Sequence, residues 1–266
     1  MAVDEIDYQI IGDDLQAVVI TLDPDEAVVA EAGAMMYLED GIEMGTSLSM
    51  NKNKTGIFGK LFEAGKRVVS GESFFITMFA NEGRGRADVG FGAPYPGHVI
   101  PIELGRHRGR ILCQKDAFLC AASGIEVDIA FSKRLGAGFF GGEGFILQRL
   151  TSPTGEGLAF CHAGGTTIKR ELGAGQRLRI DTGCIVAFEE TCDYRIEFVK
   201  GIKNKLFGGE GLFYAVLEGP GTVWIQTLPF SRLADRVIAA APSAGGSRRG
   251  EGGILGGALD MIDGDG

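Results

Sequence analysis

Three glutamates occupy repeated, glycine-flanked positions and are the first candidates for chemistry. The string Phe-Gly-Gly-Glu-Gly occurs at residues 140 to 144 and 207 to 211, and a looser copy surrounds Glu72. Three equivalent carboxylates around an axis could bind a cation. The alternative, which we favour, is that each glutamate accepts backbone hydrogen bonds at a turn whose glycines adopt unusual dihedral angles. We call these positions the repeat corners: Gly71, Glu72, Gly142, Glu143, Gly209 and Glu210.

Other chemistry-bearing residues lack the spacing that a catalytic or metal site requires. The histidines His98, His107 and His162 form no His-x-His pair, and the five cysteines contain no Cys-x-x-Cys motif. Residues 136 to 141 match Gly-x-Gly-x-x-Gly, but no βαβ unit surrounds them. No nucleophile elbow or phosphate loop is present. We therefore predict no catalytic residues, no metal site, no cofactor and no enzymatic activity, with the thiols reduced and mostly buried.

The elements around the repeat corners recur with matched spacing. A strand-like run follows each corner, and an apolar run precedes it. Ala117 lies 26 residues before Glu143, Cys184 lies 26 residues before Glu210, and Ala34 lies 38 residues before Glu72. The chain is therefore predicted to consist of three tandem repeats of one unit, with a 12-residue insertion in the first repeat.

Short apolar runs between turn residues predict an all-β fold. Residues 17 to 22, Ala-Val-Val-Ile-Thr-Leu, are rich in β-branched residues and end at Asp-Pro-Asp. Turns at residues 81–83, 152–155 and 218–221 are predicted to close hairpins. Short helices are predicted within residues 55–69 and over residues 231–240. We expect a single β domain over residues 1–240, with repeats at about 5–80, 81–150 and 151–230, and a disordered Gly-rich tail over residues 241–266.

Composition limits the classes of partner. The chain has 266 residues, 43 of them glycine, and a net charge of −9, so nucleic acid is a disfavoured partner. The first residues lack a basic segment followed by an apolar stretch, and no run of about 18 apolar residues could span a bilayer. We expect a cytoplasmic protein, or one held peripherally at the inner membrane.

The threefold Gly-Glu pattern, the apolar runs before it and the closing Arg232-Leu233-Ala234 helix resemble one known family. It is the family of the yeast altered-inheritance-of-mitochondria protein 24, whose bacterial members are known as a domain of unknown function. The resemblance covers about residues 5 to 240. It implies three tandem units similar to the subunit of the tryptophan RNA-binding attenuation protein, a short double-stranded β-helix arranged with pseudo-threefold symmetry. It supplies no catalytic residues.

Cationic and aromatic residues gather in the three segments that precede the repeat corners, which we call the basic-aromatic linkers. If the repeats are pseudo-symmetric, these segments form a basic, aromatic rim at one end of the molecule. The candidate rim residues are Phe58, Lys60, Phe62, Lys66, Lys133, Arg134, Phe139, Phe140, Lys203, Lys205 and Phe207.

Such a rim suits an anionic membrane surface, because lysines attract charged headgroups and aromatic side chains settle at the interface. Alternatively, these aromatic residues plug the β units or bury a contact between copies. We predict a non-catalytic scaffold or interaction protein that forms homo-oligomers and contacts an anionic membrane or an envelope-associated protein. A small-molecule-binding protein or enzyme with a pocket between repeats is one alternative, and an RNA-binding protein is another.

Overall fold

The structure is a computed structural model that describes residues 3–31, 33–46, 76–133, 145–198 and 213–240. Within these ranges the chain forms nineteen β-strands, three short 3-10 turns and one α-helix. The predicted all-β class is confirmed. The repeat corners, the helix predicted within residues 55–69 and the Gly-rich tail lie outside the described residues.

The strands are short, and most are separated by tight turns. In chain order they are β1 (Asp7–Ile11), β2 (Ala17–Leu22), β3 (Ala27–Glu31), β4 (Met35–Leu38), β5 (Ile42–Thr46), β6 (Ile76–Asn81), β7 (Ala87–Gly92), β8 (Gly97–Glu103), β9 (Arg110–Gln114), β10 (Phe118–Ala122), β11 (Glu126–Lys133), β12 (Phe145–Thr151), β13 (Leu158–Gly164), β14 (Thr167–Leu172), β15 (Arg177–Asp181), β16 (Ile185–Phe188), β17 (Asp193–Phe198), β18 (Phe213–Glu218) and β19 (Gly221–Gln226). The 3-10 turns are Leu104–His107, Lys115–Ala117 and Thr182–Cys184, and helix α1 is Phe230–Ala240.

These strands form four antiparallel sheets. The first sheet has the order β1-β2-β7-β4, the second β5-β6-β3-β10-β13-β8, the third β11-β12-β9-β16-β19-β14 and the fourth β15-β18-β17. Most neighbours within the sheets are distant in the chain. For example, Ala30 of β3 pairs with Cys120 of β10. The fold is therefore defined by long-range pairing.

The order of strands in one sheet is found again in another sheet when six is added to each strand number. Adding six to every strand number of the second sheet gives the order of the third sheet. Adding six to β4-β7-β2 of the first sheet gives β10-β13-β8, and subtracting six from β17-β18-β15 of the fourth gives β11-β12-β9. This recurrence concerns hydrogen-bonded pairing. The pseudo-threefold symmetry and the likeness to the attenuation-protein subunit stay predictions.

A β-bulge recurs at the same step. The register shifts between Met35 and Tyr37 where β4 pairs with β7, and likewise in the β10–β13 and β16–β19 pairs. One residue on each strand, Met36, Leu119 or Val186, is left without a Cα partner at the shift. A bulge bends its strand and increases the local twist. The strands β4, β10 and β16 therefore share a register shift of one residue.

Apolar side chains fill the space on both faces of the inner strands. All residues of β10 and β16 are buried. One core cluster joins strands of the first three sheets and contains the edge-to-face pair Phe79 and Phe91, with ring centroids 5.2 Å apart. A second cluster joins the third and fourth sheets around Phe188 and Leu217. Strands covered on both faces lose the alternation of polar and apolar residues.

The turns at 81–83, 152–155 and 218–221 do not close hairpins, so that prediction is wrong. Each joins strands of different sheets: β6 to β7, β12 to β13 and β18 to β19. At the first of these turns, the buried Asn81 side chain makes hydrogen bonds to the backbone where a hairpin would have paired strands. Its Nδ2 donates to the carbonyls of Leu22 (2.9 Å) and Gly85 (2.8 Å), and its Oδ1 accepts from the N–H of Gly83 (2.9 Å).

Two further predictions are refined by the structure. The apolar runs before the second and third repeat corners begin with the 3-10 turns Lys115–Ala117 and Thr182–Cys184, and strand geometry starts only after them. The C-terminal helix is confirmed as α1, which begins at Phe230, one residue earlier than predicted.

The chain divides into two units, residues 1–231 and residues 232–266, so the described part of the second unit is most of α1. Among the described residues, no helix combines the length and apolar character needed to cross a membrane.

Asn81 provides a test of how the chain passes between sheets. Asn81→Ala should lower the free energy of unfolding by about 2 to 4 kcal/mol, because it removes three hydrogen bonds and leaves the buried Leu22 carbonyl without its Asn81 donor. Urea denaturation would measure this. Thr21→Ala removes only a part-exposed hydrogen bond to Asp88 and should cost about 1 kcal/mol. Equal losses in the two variants would contradict the role given to Asn81.

Candidate functional site

Of the rim residues predicted from the sequence, the structure describes one, Lys133. Lys133 is the last residue of β11, and the other candidate rim residues and all six repeat corners lie outside the described ranges. What the structure describes is how each linker is attached. The three linkers join β5 to β6, β11 to β12 and β17 to β18, and each of these pairs is antiparallel. The three pairs differ by a step of six strands.

The three histidines lie in two places. His98 on β8 and His162 on β13 are on neighbouring strands, where His162 is opposite Val99. His107 ends the 3-10 turn Leu104–His107 and contacts another part of the fold. In the part of the chain that the structure describes, no group of three or more His, Cys, Asp or Glu residues is placed to hold a metal ion.

Among the described residues, a connected group of polar side chains surrounds the single tryptophan of the sequence. We call it the Trp224 cluster: His107, Lys169, Glu171, Glu189, Thr222 and Trp224. Strand pairing assembles most of it, because Lys169 is opposite Trp224 and Glu171 is opposite Thr222 on the β14–β19 ladder. Glu189 directly follows β16, which is the other neighbour of β19. Two strand pairings and one 3-10 turn therefore bring together residues that are far apart in the chain.

Glu189 is the centre of the hydrogen bonds in this cluster. Its Oε1 accepts from His107 Nδ1 at 2.6 Å, and its Oε2 accepts from the Thr222 N–H at 3.1 Å. The Thr222 hydroxyl donates to Glu171 Oε2 at 2.9 Å and lies 3.3 Å from Glu189 Oε1. One carboxylate thus orients an imidazole, a backbone amide and a hydroxyl.

The indole of Trp224 is enclosed by two cationic or cation-capable groups. The His107 ring meets it edge to face, with centroids 5.2 Å apart. The Lys169 ammonium lies 5.5 Å from the indole centroid, within the range of a cation–π contact, and 3.4 Å from Glu171 Oε1. Lys169 and Glu171 are the solvent-exposed members of the cluster.

Hydrogen bonds within the cluster stabilise the negative charge of Glu189. Burial favours the protonated form of Glu189, but hydrogen bonds from His107 and Thr222 outweigh it and lower the pKa of that carboxyl. The neighbouring Cys192 donates its N–H to the Glu189 carbonyl. Burial, followed by the nearby Glu189 charge, raises the pKa of the Cys192 thiol to about 11. A thiol with that pKa stays protonated at neutral pH and is a poor nucleophile.

The geometry of the cluster therefore suits positioning and binding. An imidazole held by a carboxylate resembles the base of a nucleophilic site, but such a site also needs a hydroxyl or thiol that the imidazole can activate. Here the Thr222 hydroxyl donates to carboxylates and the Cys192 thiol is held protonated. The exposed Lys169 and Glu171 offer one charge of each sign beside an aromatic ring.

A second unusual group is the buried imidazole of His162. Its residue is 1% exposed, and neither ring nitrogen has a hydrogen-bond partner among the described residues. The ring meets Tyr95 edge to face, with centroids 4.6 Å apart. Burial, helped by His98, lowers the pKa of His162 to about 4. His162 is therefore neutral at physiological pH.

Sequence reasoning missed the Trp224 cluster. Its members are separated by up to 117 residues, from His107 to Trp224, and share no motif. Two signals were available. The chain contains one tryptophan, and β14 has the charged sequence Lys-Arg-Glu on what the structure shows to be an edge strand.

Comparison with known proteins identifies the family. The family model described as mitochondrial biogenesis AIM24 matches residues 8–228. The chain belongs to the AIM24 family. The resemblance drawn from the Gly-Glu pattern is thereby confirmed, and the match includes all nineteen strands except the first residue of β1.

Two similar proteins from Streptococcus pyogenes also match most of the length of this AIM24 chain. An uncharacterised protein from Streptococcus pyogenes serotype M6 is 29% identical over 227 residues, which is 85% of this chain and 86% of that protein. An X-ray crystal structure of a Streptococcus pyogenes protein matches with a TM-score of 0.68 and 24% identity, covering 89% of this chain and 100% of that one. At this identity the likeness shows a shared fold alone.

His162 makes stability depend on pH in a defined window. Its pKa is about 4 in the folded AIM24 chain and about 6.5 when unfolded, so below pH 6.5 the unfolded state binds a proton that the folded state does not. The free energy of unfolding should fall by about 3 kcal/mol between pH 7 and pH 4 from this group.

Denaturation of wild type and His162→Phe across that range would test this. The variant should lose the part of the slope that His162 contributes, whereas His98→Phe should retain most of it. A slope unchanged in His162→Phe would show that other groups produce it.

Glu189 should stabilise the cluster at neutral pH. Glu189→Gln is expected to cost about 1 to 3 kcal/mol, because it removes a charged acceptor from His107 and Thr222. Since the folded pKa is lowered, the contribution of Glu189 is present above the ordinary carboxyl pKa and is lost as the pH falls through the lowered value.

Glu190→Gln is the matched control for Glu189→Gln. It removes the neighbouring carboxylate, which pairs with Arg149 closer to the surface at 2.6 Å, and should cost less than about 1 kcal/mol. Thermal unfolding of both variants would measure the difference. A larger effect at Glu190 would contradict the central place given to Glu189.

Proposed function

We propose that this AIM24-family protein is a non-catalytic interaction protein that attaches to anionic membrane surfaces through its three basic-aromatic linkers. The observation that carries the proposal is their attachment. Each linker joins the two strands of an antiparallel pair, β5–β6, β11–β12 or β17–β18, and these pairs are equivalent in the recurring strand order.

The distribution of charge supports this use of the linkers. The whole chain has 26 Lys and Arg against 35 Asp and Glu. Residues 47–75, 134–144 and 199–212 reverse that balance, with nine Lys and Arg against four Glu. An acidic protein thus concentrates an excess of positive charge in three segments that the fold attaches in equivalent places.

The energetics suit a reversible attachment. Each lysine near an anionic surface contributes on the order of 1 kcal/mol, and aromatic side chains such as Phe58, Phe62 and Phe207 add burial at the interface. Several weak contacts from three linkers add up to stable binding, because the second and third contacts are made by a molecule already held at the surface.

The chemistry of the Trp224 cluster supports the non-catalytic part of the proposal. Its carboxylates accept from groups of the protein itself, and its nearest thiol has a raised pKa. Neither Thr222 nor Cys192 is activated as a nucleophile.

Vesicle co-sedimentation tests the membrane attachment. The wild-type chain should sediment with phosphatidylcholine vesicles that contain cardiolipin at physiological salt, and much less with phosphatidylcholine alone. Lys203→Glu combined with Lys205→Glu should reduce binding by at least about 30-fold, since two contributions of about 1 kcal/mol each are lost and two repelled charges are added.

The control variant carries the same change of charge elsewhere. Arg84→Glu combined with Arg170→Glu alters two exposed residues outside the linkers and should leave most of the binding intact. Equal losses of binding in both variants would show that net charge, and not the linkers, determines binding. No binding by the wild type would exclude the proposal.

A further inference from the structure

Among the described residues, β4 and β15 have an unpaired edge on the side where their counterparts pair with another recurring strand. In the recurring strand order, β4 corresponds to β10 and β16, and β15 corresponds to β3 and β9. The strands β10, β16, β3 and β9 are each paired on both sides. In contrast, within the part of the chain that the structure describes, β4 pairs only with β7, and β15 pairs only with β18.

The other sheet edges are of two kinds. Among the described residues, β5, β11 and β17 are edges at every occurrence. The edge strands β8 and β14 correspond to β2, whose outer side is paired with β1, a strand without a counterpart in the recurring order. An unpaired strand edge presents a row of backbone donors and acceptors that favours pairing with another chain. Among these edges, β4 and β15 are the two whose counterparts pair with another strand of the recurring order, β3 with β10 and β9 with β16.

We propose that β4 of one molecule pairs antiparallel with β15 of a second copy, so that copies associate head to tail. The combined sheet would have the order β17-β18-β15 followed by β4-β7-β2 of the next copy. This is the strand order of the second and third sheets, where β5-β6-β3 continues into β10-β13-β8 and β11-β12-β9 continues into β16-β19-β14. The missing neighbour of each edge is thus supplied by the other edge.

The internal pairs define the register of the contact. Cys120 is opposite Ala30, and Ala187 is opposite Cys113. The corresponding residues of the free edges are Tyr37, which follows the bulge on β4, and Ile180 on β15. Tyr37 therefore lies opposite Ile180 of the next copy.

The neighbouring position follows from the same equivalence. Ala121 is opposite Val29, and Phe188 is opposite Leu112. The corresponding residues of the free edges are Leu38 and Arg179. Leu38 therefore lies opposite Arg179 of the next copy.

Burial distinguishes the free edge of β4 from its counterparts. Met36, Tyr37 and Leu38 are 59%, 43% and 37% exposed, although all three are large and apolar. The corresponding residues of β10 and β16 are buried. A second copy would cover apolar surface that the same strand position buries elsewhere in the fold.

Charge complementarity favours this partner. Arg177 and Arg179 lie on β15, where Arg177 also pairs with Glu218 of β18 at 2.7 Å. Glu39 and Asp40 directly follow β4, and Glu39 also accepts from the Asp88 N–H. Extending the antiparallel register by two residues places Asp40 opposite Arg177 and Glu39 between the two arginines. The contact joins different surfaces of the two copies, so repetition gives a closed ring or an open filament.

Charge reversal tests the partner and the orientation. Sedimentation velocity should show association of the wild type that increases with concentration. Arg177→Glu combined with Arg179→Glu should remain monomeric, as should Glu39→Arg combined with Asp40→Arg. A one-to-one mixture of the two variants should associate again, because each reversed edge then meets a complementary one.

The control for charge is Arg84→Glu combined with Arg170→Glu, which should associate like the wild type. A wild type that stays monomeric up to its solubility limit, or reversal variants that associate as well as the wild type, would overturn the proposal. Binding to vesicles is measured separately, so failure of this proposal leaves the membrane attachment standing.

A cysteine cross-link tests the register and shows whether the contact lies between copies. The five native cysteines are buried, and opposite residues of an antiparallel pair are close enough for a disulfide. Under a mild oxidant, two introduced thiols lose their protons and two electrons to form one S–S bond. Tyr37→Cys combined with Ile180→Cys should give a ladder of linked chains in non-reducing electrophoresis, whereas Leu38→Cys combined with Ile180→Cys should give much less. A disulfide formed within one chain, or equal ladders for the two variants, would overturn the proposal.

Discussion

Every backbone N–H and C=O of a buried strand needs a hydrogen-bond partner, and this requirement governs the structure. All residues of β10 and β16 are buried, so water cannot satisfy their backbone groups. Both strands are consequently paired on both edges, and β3 is a neighbour of β10 although Ala30 and Cys120 are 90 residues apart. These long-range ladders join successive parts of the chain into shared sheets, and each turn at the end of β6, β12 or β18 carries the chain from one sheet to another.

The same ladders position the polar groups that carry chemistry. Glu189 leaves the end of β16, and Thr222 and Trp224 lie on the adjacent β19, so the Trp224 cluster exists because these two strands pair. The hydrogen bonds of Glu189 to His107 and Thr222 then connect the turn before β9 to the third sheet. Within this cluster the carboxylates accept hydrogen bonds from donors of the protein itself. Lys169 and Glu171 are the members that are exposed to solvent.

Membership of the AIM24 family and the fold shared with a Streptococcus pyogenes protein show that this arrangement of strands is not particular to one sequence. Strand pairing distributes two kinds of surface over the AIM24 chain. Its hairpins carry linkers with an excess of lysine and arginine, and its terminal sheets end in the edges of β4 and β15. The linkers and the edges belong to different strands, so the proposed membrane attachment and the proposed self-association can be tested separately.

Local patterns were sufficient for the all-β class, for β2, for α1 and for the family, because β-branched runs, turn residues and helical spacing act over a few residues. The sequence by itself determined that the chain forms many short strands and one C-terminal helix, and it predicted three recurring units. Only the tertiary structure decided which strands are neighbours. The turns at 81–83, 152–155 and 218–221 have hairpin composition but connect different sheets, since a turn sequence does not specify the partner of the strand that follows. The meeting of His107 with Trp224, the buried state of His162 and the free edges of β4 and β15 arise from the same pairing, which depends on burying both faces of the inner strands and has no signature in local periodicity.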